Sequence, residues 1–557
     1  MPSGRKVARD RHAGGRGPAG LSADSADGAR RASGEVIAPD QPVRDRIVSE
    51  FDKNFLVEAG AGSGKTYSLA MRMAAGIAVG AYVVEHMAAV TFTRKAAAEL
   101  RGRFQLAVEE RLGKKPPEAE RRRLETALAG MERLFAGTIH AFCAHLLRER
   151  PVDARVAPGF EELGDIEDLQ LQQRAWRDYG VEDRALGFQP MLDLLEAGIR
   201  PKDLDSAFAG VCRHEDVTFD EGGGEPPAFE PVFKRVEKFW KELGKLVPAN
   251  VHPDTKCKAL SRWEEFDGRV ASIRRQRRLA SLASLLTFWN NKPVTMSWWS
   301  EEVGRDESYG RRARQLVEDF QTETIDPFLE QWRAYIHHLA MMVVIKGRNF
   351  YADVRRRRNV VNYVDLLMLT AGMLRRSPTV RQALRQKYRW LFIDEFQDTD
   401  PIQADIFLML AAEPSTVGPG FSPASFDPFT LPLRPGSLFV VGDPKQSIYR
   451  FRRADIDIYN RVGRRIEDTG GEILTLTANF RSLPGICALA NTVFPPLFAA
   501  SSPPYSPPFE KLDPVREEPK GGVGPRVARI TIPDGGKGAR PLGALQDVRA
   551  GQFLPAG

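Results

Sequence analysis

The sequence predicts an α/β protein whose parallel sheet is interrupted by a large helical insertion. Apolar, strand-like runs alternate with amphipathic, helix-like runs over 36–151 and again over 360–482. The residues between these segments, 152–359, show helical patterning with charged faces and little strand alternation. Because two parallel strands must be joined by a long crossover, alternating strands and helices are typical of a parallel sheet.

The first segment contains three strand–helix units. FLVEA, which starts at Phe55, is followed by the glycine-rich AGAGSGKT and the helix YSLAMRMAAGIA. VVEHMAAVTFT predicts a buried strand before the long helix RKAAAELRGRFQLAVEERL, and RLFAGTI predicts a strand before the helix HAFCAHLLRERP. In the second segment, strands are predicted within LFIDEF, GSLFVVGD and GEILTLTANFRS, with a Pro/Gly/Ser-rich surface loop at 414–436.

The insertion carries aromatic pairs and one run of arginines. We predict that Phe239–Trp240, Phe288–Trp289 and Trp298–Trp299 belong to helical core rather than to a base-stacking surface. The run Arg355–Arg358 is predicted to form a solvated face, with contact to DNA phosphates as the alternative.

The two terminal segments lack a regular pattern. Residues 1–35 are rich in Gly, Ala, Arg and Ser, which predicts a disordered basic tail. A start codon placed too early would also explain this segment, whereas its aspartates and its lack of an apolar face disfavour a transit peptide. Residues 483–557 are Pro-rich and largely irregular, with one strand-like run, VARITI.

Composition limits the class of protein. A length of 557 residues favours several domains, and 80 Lys and Arg against 73 Asp and Glu give a mild excess of positive charge. That excess suits a polyanionic partner and an ordinary soluble surface equally well. Four scattered cysteines favour a reducing, cytoplasmic location over a disulfide framework or a zinc or iron–sulfur site, and no apolar run is long enough to predict a membrane span.

A phosphate-binding loop is predicted between the first strand and its helix. The loop residues are Ala59, Gly60, Ala61, Gly62, Ser63, Gly64, Lys65 and Thr66. Gly62 and Gly64 allow backbone N–H groups to face phosphate oxygens, Lys65 can reach the β- and γ-phosphates, and Thr66 can ligate Mg²⁺. A plain glycine turn is the weaker alternative, and a dinucleotide fingerprint would need its third glycine elsewhere. Upstream, the amide of Gln41 could contact adenine or simply lie on the surface.

Two further polar stretches follow predicted strands. Asp394, at the end of WLFI, can hold Mg²⁺, and the adjacent Glu395 can orient and deprotonate a water molecule. Asp398–Asp400 can instead cap the helix that begins near Pro401. Behind SLFVV, Gln446 could sense a γ-phosphate. Tyr449 and Phe451 lie among arginines and could stack on unpaired bases, or the stretch could be a basic turn packed on the core.

These stretches together resemble a known family. AGAGSGKT, AVTFTRKAAAELRGR, GTIHAFCAHLLR, LFIDEFQDTDPIQ, VVGDPKQSIYRFRRAD and LTANFRS occur in the order seen in superfamily 1 DNA helicases of the UvrD/Rep type, over Gln41 to Asn491. DEFQDTDPIQ and GDPKQSIYRFRRAD are most similar to the AddA/RecB-like (exonuclease V beta-type) branch, which serves double-strand break repair. The resemblance implies a RecA-like P-loop NTPase sheet that uses ATP and Mg²⁺ and acts on single-stranded and duplex DNA.

The resemblance also implies residue roles. Gln41 would contact adenine, and Glu395 would be the catalytic base, with Gln446 and Arg481 reaching the γ-phosphate. Lys65 and Thr66 would bind the phosphates and Mg²⁺, and Asp394 the metal. The residues implied to lie along single-stranded DNA are Thr91, Phe92, Thr93, Thr138, His140, Tyr449 and Phe451. For His140, a role as a helix-cap or core residue is the alternative.

After Asn491 the sequence departs from the family pattern, because motifs of a second RecA-like lobe and of a nuclease do not follow. We therefore expect the N-terminal portion of an ATP-dependent, 3′–5′ DNA helicase that translocates on single-stranded DNA in repair and recombination. Residues 483–557 would begin an incomplete second lobe. The alternatives are an ATP-gated DNA-binding module and an inactive truncated fragment. A nuclease–helicase subunit or a separately encoded second lobe is the expected protein partner.

Overall fold

The computed structural model describes residues 38–247, 255–296, 307–414, 426–448, 454–498, 507 and 509–517. The predicted basic tail, Trp298–Trp299, Tyr449, Phe451 and the strand-like VARITI lie outside these residues. The chain divides into two compact units, and unit 2, Arg155–Met368, is a single excursion from unit 1, which comprises Met1–Ala154 and Leu369–Gly557.

The strands are short. In chain order they are β1 (Phe55–Ala59), β2 (Met87–Thr91), β3 (Phe135–Thr138), β4 (Glu161–Glu162), β5 (Val360–Val361), β6 (Trp390–Ile393), β7 (Leu438–Gly442), β8 (Glu472–Leu476), β9 (Ala478–Asn479) and β10 (Asp513–Pro514).

Helices make up most of the remaining described residues. In unit 1 before the excursion they are α1 (Gln41–Ile47), α2 (Lys65–Val79), α3 (Arg94–Gly113), α4 (Glu118–Ala129), α5 (Ile139–Glu149) and Pro151–Ala154. From Asp165 to Arg358 they are Asp165–Ala185, Gln189–Glu196, Asp205–Arg213, Phe229–Gly244, Lys258–Ser261, Trp263–Gln276, Leu279–Trp289, Glu307–Phe320 and Asp326–Arg358, the last two joined by the π-helical Gln321–Ile325. The helices after β5 are Tyr363–Arg376, Pro378–Lys387, Pro401–Ala411, Ile456–Asp468 and Pro484–Val493.

Unit 1 is built on a parallel sheet, which confirms the predicted fold class. Within the described residues the sheet has six strands in the order β3-β2-β6-β7-β1-β8, and every neighbouring pair is parallel. β2 and β7 are buried along their whole length, as expected for strands with helices on both faces. β1 lies between β7 and β8, so both of its neighbours come from after residue 437.

Local sequence explains where several of these helices begin. Thr93 and Thr138 each accept a hydrogen bond from the backbone N–H three residues on, and so cap α3 and α5. Asp400 caps the helix Pro401–Ala411 through Gln403 N at 2.9 Å, which confirms the predicted capping role of this acidic stretch. A left-handed glycine, Gly80, ends α2.

A buried arginine anchors the entry to β1. The Arg72 side chain is fully buried, and its Nη1 donates to the carbonyl oxygens of Ile47 at 2.7 Å and Glu50 at 2.9 Å. Its guanidinium also lies 5.2 Å from the ring centre of Phe55 and 4.8 Å from that of Phe439. The turn between α1 and β1 is thus held from inside the core.

Unit 2 has aromatic helical cores, as the aromatic pairs predict. Phe239 stacks on Phe320 with ring centroids 3.9 Å apart, and Trp289 is 1 % exposed. Trp240 and Phe288 pack at the margin of the same cluster. Their position supports the core interpretation over a base-stacking one.

The prediction of a solvated arginine face is wrong for Arg355. This side chain is 1 % exposed, and it pairs with Glu215 at 2.8 Å and with Asp365 at 2.6 Å. Burial is tolerated because two carboxylates compensate the guanidinium charge. Arg356 and Arg358 are exposed, as predicted.

Among the described residues, none of the helices combines the length and the apolar character needed to cross a membrane.

Candidate functional site

The glycine-rich loop leaves the carboxyl end of β1 and leads into α2. Gly62 and Gly64 have φ angles of 83° and 85°, a region that only glycine adopts at little cost. A Cβ at Gly62 would also lie 2.6 Å from the Cβ of Arg481. Ser63 closes a turn inside the loop, because its N–H and its hydroxyl both donate to the carbonyl of Gly60.

The structure brings this loop to the acidic pair that follows β6. Lys65 Nζ lies 2.9 Å from Glu395 Oε2, and Thr66 Oγ1 donates to Asp394 Oδ2 at 3.1 Å. These pairs join residues 330 and 328 positions apart. Both segments emerge at the carboxyl edge of one parallel sheet, where such folds place their ligand sites.

Glu395 is held in an unusual backbone conformation. Its φ is 55° and its ψ is 44°, in the left-handed region that non-glycine residues rarely adopt. Such strain is concentrated at functional sites, where the surrounding structure maintains it. Here Gln397 Nε2 donates to Glu395 Oε2 at 2.8 Å, and so orients the carboxylate.

Gln397 also connects the acidic pair to β7. This buried side chain accepts a hydrogen bond from Asp443 N at 2.9 Å, and its backbone carbonyl accepts one from Ser447 Oγ at 3.1 Å. Asp443 in turn accepts from Gln446 Nε2 at 2.6 Å. Gln446, predicted to sense a γ-phosphate, is therefore connected to Glu395 through Asp443 and Gln397.

Burial shapes the acid–base properties of the site. Burial and the neighbouring Glu395 raise the pKa of Asp394 to about 6, although Lys65 and the Thr66 hydroxyl oppose the shift. The pKa of Asp398 also rises to about 6, chiefly by burial and again through Glu395. A cation beside Asp394 would stabilise its ionised form. No cluster of three His, Cys, Asp or Glu suited to a metal occurs in the described part of the chain.

Two predicted nucleotide contacts lie at the margins of the site. The Gln41 amide donates to Asp45 Oδ1 at 2.8 Å within α1, so contact with adenine would require this bond to be exchanged. The backbone of Arg481 is fixed by Asn479 Oδ1, which accepts from Arg481 N at 3.0 Å. Arg481 thus lies next to the glycine loop, as the close approach to Gly62 shows.

Five of the predicted DNA-contacting residues lie together at the same edge of the sheet. Thr91 pairs in register with Thr138 at the ends of β2 and β3, and Phe92, Thr93 and His140 follow directly. The hydroxyls of Thr93 and Thr138 cap helices, while Thr91 Oγ1 donates to the carbonyl of Thr93 at 3.0 Å. Contact with DNA stays a prediction for all five.

Sequence reasoning missed two residues that contact the loop. Arg44 donates to the carbonyl of Ser63 at 2.9 Å, and Asn479 donates to that of Ala61 at 2.8 Å. The spacing of Asp40 and Arg44, four residues apart at the start of a helix, is the signal that could have identified the first. Asn479 gives no local signal, because its partner is far away in sequence.

A second group of carboxylates lies beside the site, around Glu58 near the end of β1. Burial raises the pKa of Glu58 to about 7, and so do the charges of Glu510 and Asp443, while Lys445 opposes the shift. Tyr459 also faces this group, and the charge of Glu58 raises the pKa of its hydroxyl further above the usual value.

Replacing Glu58 by glutamine should therefore flatten the pH dependence of stability. A carboxyl with a raised folded-state pKa contributes stability that is present below its ordinary pKa of 4.5 and is lost as the pH rises through about 7. Relative to wild type, Glu58→Gln should gain about 1–3 kcal/mol in the free energy of unfolding between pH 5 and pH 8, allowing for partial exposure of the group. Urea unfolding of both proteins across this range provides the measurement. Parallel curves for the two proteins would contradict the assignment.

The parallel sheet, the loop between β1 and α2 and the acidic pair after β6 define a P-loop nucleotide-binding protein. More specifically, the model of the UvrD/REP helicase N-terminal domain matches residues 41–467, and the chain belongs to this family. The match includes unit 2 and most of the sheet strands.

Curated relatives agree with this membership. The chain is 24% identical over 503 residues to AddA, the ATP-dependent helicase/nuclease subunit of Ligilactobacillus salivarius (strain UCC118), covering 81% of this chain and 38% of the relative. It is 25% identical over 504 residues to the protein of the same name in Enterococcus faecalis (strain ATCC 700802 / V583), covering 81% and 38%, respectively. The corresponding values for Latilactobacillus sakei subsp. sakei (strain 23K) are 26% over 517 residues, 81% and 54%. The chain thus spans about two fifths to one half of these relatives.

Proposed function

We propose that this chain is the ATP-hydrolysing part of a DNA helicase motor. The observation that carries the proposal is the meeting of Lys65 and Thr66 with Glu395 and Asp394 across more than 300 positions of sequence. A phosphate-binding loop beside a paired acid is the arrangement that phosphoryl transfer to water needs. Family membership and the names of the relatives support the same activity.

Lys65 links substrate binding to the state of the acid. Its ammonium pairs with Glu395 at 2.9 Å. A triphosphate on the loop offers Lys65 several negative oxygens in place of this single carboxylate, so Glu395 is released from the ion pair. Glu395 remains oriented by Gln397 and can accept a proton from the attacking water.

The residues present suit Mg²⁺. Asp394 offers a buried carboxylate whose Oδ2 is 3.1 Å from the Thr66 hydroxyl, and both are oxygen ligands of the kind that Mg²⁺ takes together with substrate phosphates. When bound there, the cation would neutralise charge on the phosphate oxygens. Thr66 and Asp394 would hold it, and the adjacent Glu395 lies close to the same phosphates.

The DNA-related part of the proposal extends to the carboxyl ends of β2 and β3. Thr91, Phe92 and Thr93 with Thr138 and His140 form one edge that could follow a single strand, and Tyr449 and Phe451 would add stacking. We infer a RecA-like sheet, translocation in the 3′–5′ direction and a role in double-strand break repair from the family resemblance. The relatives are named as subunits of a helicase/nuclease, which supports an interaction of this chain with a further subunit.

The decisive experiment is ATP hydrolysis with and without single-stranded DNA. We expect DNA to stimulate turnover, and we expect Lys65→Ala to lower kcat/KM for ATP by at least about 100-fold, since it removes the cation aimed at the phosphates. Lys114→Ala, at an exposed lysine whose side chain is 72% accessible, is the matched control and should leave turnover unchanged.

Other outcomes select the alternatives. ATP binding that depends on Lys65 but is accompanied by no turnover would indicate an ATP-gated DNA-binding module. Loss of ATP binding in the unmodified chain would refute the proposed function altogether.

A further inference from the structure

The glycine loop is held from outside through its backbone carbonyls. Three consecutive carbonyl groups accept hydrogen bonds from two other segments of unit 1: that of Ala61 from Asn479 Nδ2 at 2.8 Å, that of Gly62 from Phe480 N at 2.8 Å, and that of Ser63 from Arg44 Nη2 at 2.9 Å. In a planar trans peptide the C=O and the following N–H point in opposite directions. Fixing the carbonyl of Ser63 therefore fixes the direction of the N–H of Gly64.

This matters because the loop is otherwise soft. Gly62 and Gly64 have many accessible backbone conformations, and their peptide groups can reorient at little steric cost. Phosphate binding requires several N–H groups to converge at once. External anchors reduce the entropy lost on binding, so they contribute to affinity without touching the ligand.

Arg44 is the most elaborate of these anchors. Its guanidinium makes two bonds to the Asp40 carboxylate, at 2.7 and 3.0 Å, and a further one to Ser68 Oγ at 3.2 Å. The pair is largely buried, with 12% of the Arg44 side chain and 4% of the Asp40 side chain accessible. Exposed ion pairs four residues apart on a helix contribute little, but this pair is buried and its remaining N–H groups reach the loop and α2.

Asp40 closes the connection on the other side. Its Oδ2 accepts a hydrogen bond from Ala478 N at 3.0 Å, and the Arg44 guanidinium lies 5.1 Å from the ring centre of Phe480. The segment that includes Asn479 and Phe480 is therefore bound both to the loop and to the Asp40–Arg44 pair. α1, the glycine loop and this segment form a closed ring of contacts.

We propose that Arg44 is a positioning residue of the nucleotide site, which, through Ser63, holds the loop in its phosphate-binding conformation, with Asp40 orienting its guanidinium. The inference rests on the proposed function, because it takes a nucleotide triphosphate as the ligand. Arg44 acts on ground-state binding and not on the hydrolytic step, since its contacts are with the loop backbone and not with the acidic pair. A lysine at this position could not bind Asp40 in a bidentate manner and reach Ser63 at the same time.

The test compares Arg44→Lys with Arg46→Lys in the full chain. Arg46 lies on the same helix and is also paired, with Glu50 and Glu472, and these partners lie outside the loop. We expect Arg44→Lys to raise the Kd of a fluorescent ATP analogue and the KM for ATP about tenfold, with kcat changed less than about twofold. Arg46→Lys should leave all three values near those of wild type.

Asp40→Asn and a stability measurement guard against a purely structural explanation. Asp40→Asn keeps an acceptor for Ala478 N but loses the charge that orients Arg44, and it should raise KM in the same direction. Thermal unfolding should show similar midpoints for Arg44→Lys and Arg46→Lys. If wild type binds ATP and Arg44→Lys binds it equally well, the positioning role is wrong while the proposed function stands. If wild type binds no ATP, both are wrong.

Discussion

Glu395→Gln is expected to abolish DNA-stimulated ATP hydrolysis, with kcat lowered about 10³-fold or more. The carboxylate is the group placed to accept a proton from water, and general-base catalysis together with water orientation accounts for effects of this size. Glutamine keeps the shape and the contact with Gln397, whose amide donates to Glu395 Oε2 at 2.8 Å. The loss should therefore be one of chemistry and not of folding.

The same substitution should tighten ATP binding about three- to tenfold. Lys65 is paired with Glu395, so ATP must displace this ion pair before Lys65 can contact phosphate. Removing the carboxylate charge removes the competitor and a source of repulsion for the triphosphate. Equilibrium binding of a fluorescent ATP analogue and steady-state turnover would measure the two effects separately. Glu118→Gln, at an exposed residue of α4, is the control. Unchanged turnover in Glu395→Gln would remove Glu395 from the mechanism.

The second large effect is expected in unit 2, where Arg355→Leu should lower the free energy of unfolding by about 3–5 kcal/mol. Removing the guanidinium leaves Glu215 and Asp365 without their shared cation, and an uncompensated buried charge is costly. The guanidinium also lies 4.1 Å from the ring centre of Tyr351, so packing is lost as well. Burial raises the pKa of Glu215 even with Arg355 present, which shows how much the carboxylate depends on it.

Arg356→Leu is the matched control, because this neighbouring arginine is 76% accessible and pairs at the surface with Asp353. Tryptophan fluorescence during urea unfolding reports mainly on unit 2, since every tryptophan of the sequence except Trp390 falls within 155–368. A similar midpoint for both variants would contradict the stabilising role of Arg355. Replacing Glu215 and Asp365 by their amides in the Arg355→Leu background should recover part of the loss, because no buried charge then remains.

Local patterns predicted the sheet and the centre of the site. FLVEA before the glycine loop and WLFI before Asp394 are short apolar runs that end in functional residues, and both are strands of the sheet. Lys65 and Asp394 could be placed at one site because parallel strands expose their carboxyl ends at one edge. The predicted conformations of these stretches depended on neighbours within a few residues, which sequence patterns capture.

Burial of long basic side chains could not be predicted in this way. Arg355 was assigned to solvent because four arginines in a row are normally exposed, yet its partner Glu215 lies 140 positions away. Arg44 and Arg72 also satisfy their donors with backbone carbonyls of other segments. A guanidinium has the same sequence appearance whether water or a folded carbonyl accepts its hydrogen bonds, so only the tertiary structure distinguishes the two cases.

The position of β1 in the sheet has a consequence for synthesis on the ribosome. The strand that carries the glycine loop is made early, but its neighbours β7 and β8 begin at Leu438 and Glu472. Asn54, just before β1, bonds to Leu438 across 384 positions. Until the ribosome has passed β8, β1 lacks its full set of neighbours in the described sheet, and its apolar residues lack their final cover. Such non-local pairing slows folding and exposes strand edges to aggregation. The nascent chain should therefore depend on chaperones during the interval in which unit 2 is being made, and unit 2 itself, continuous in sequence, can fold first.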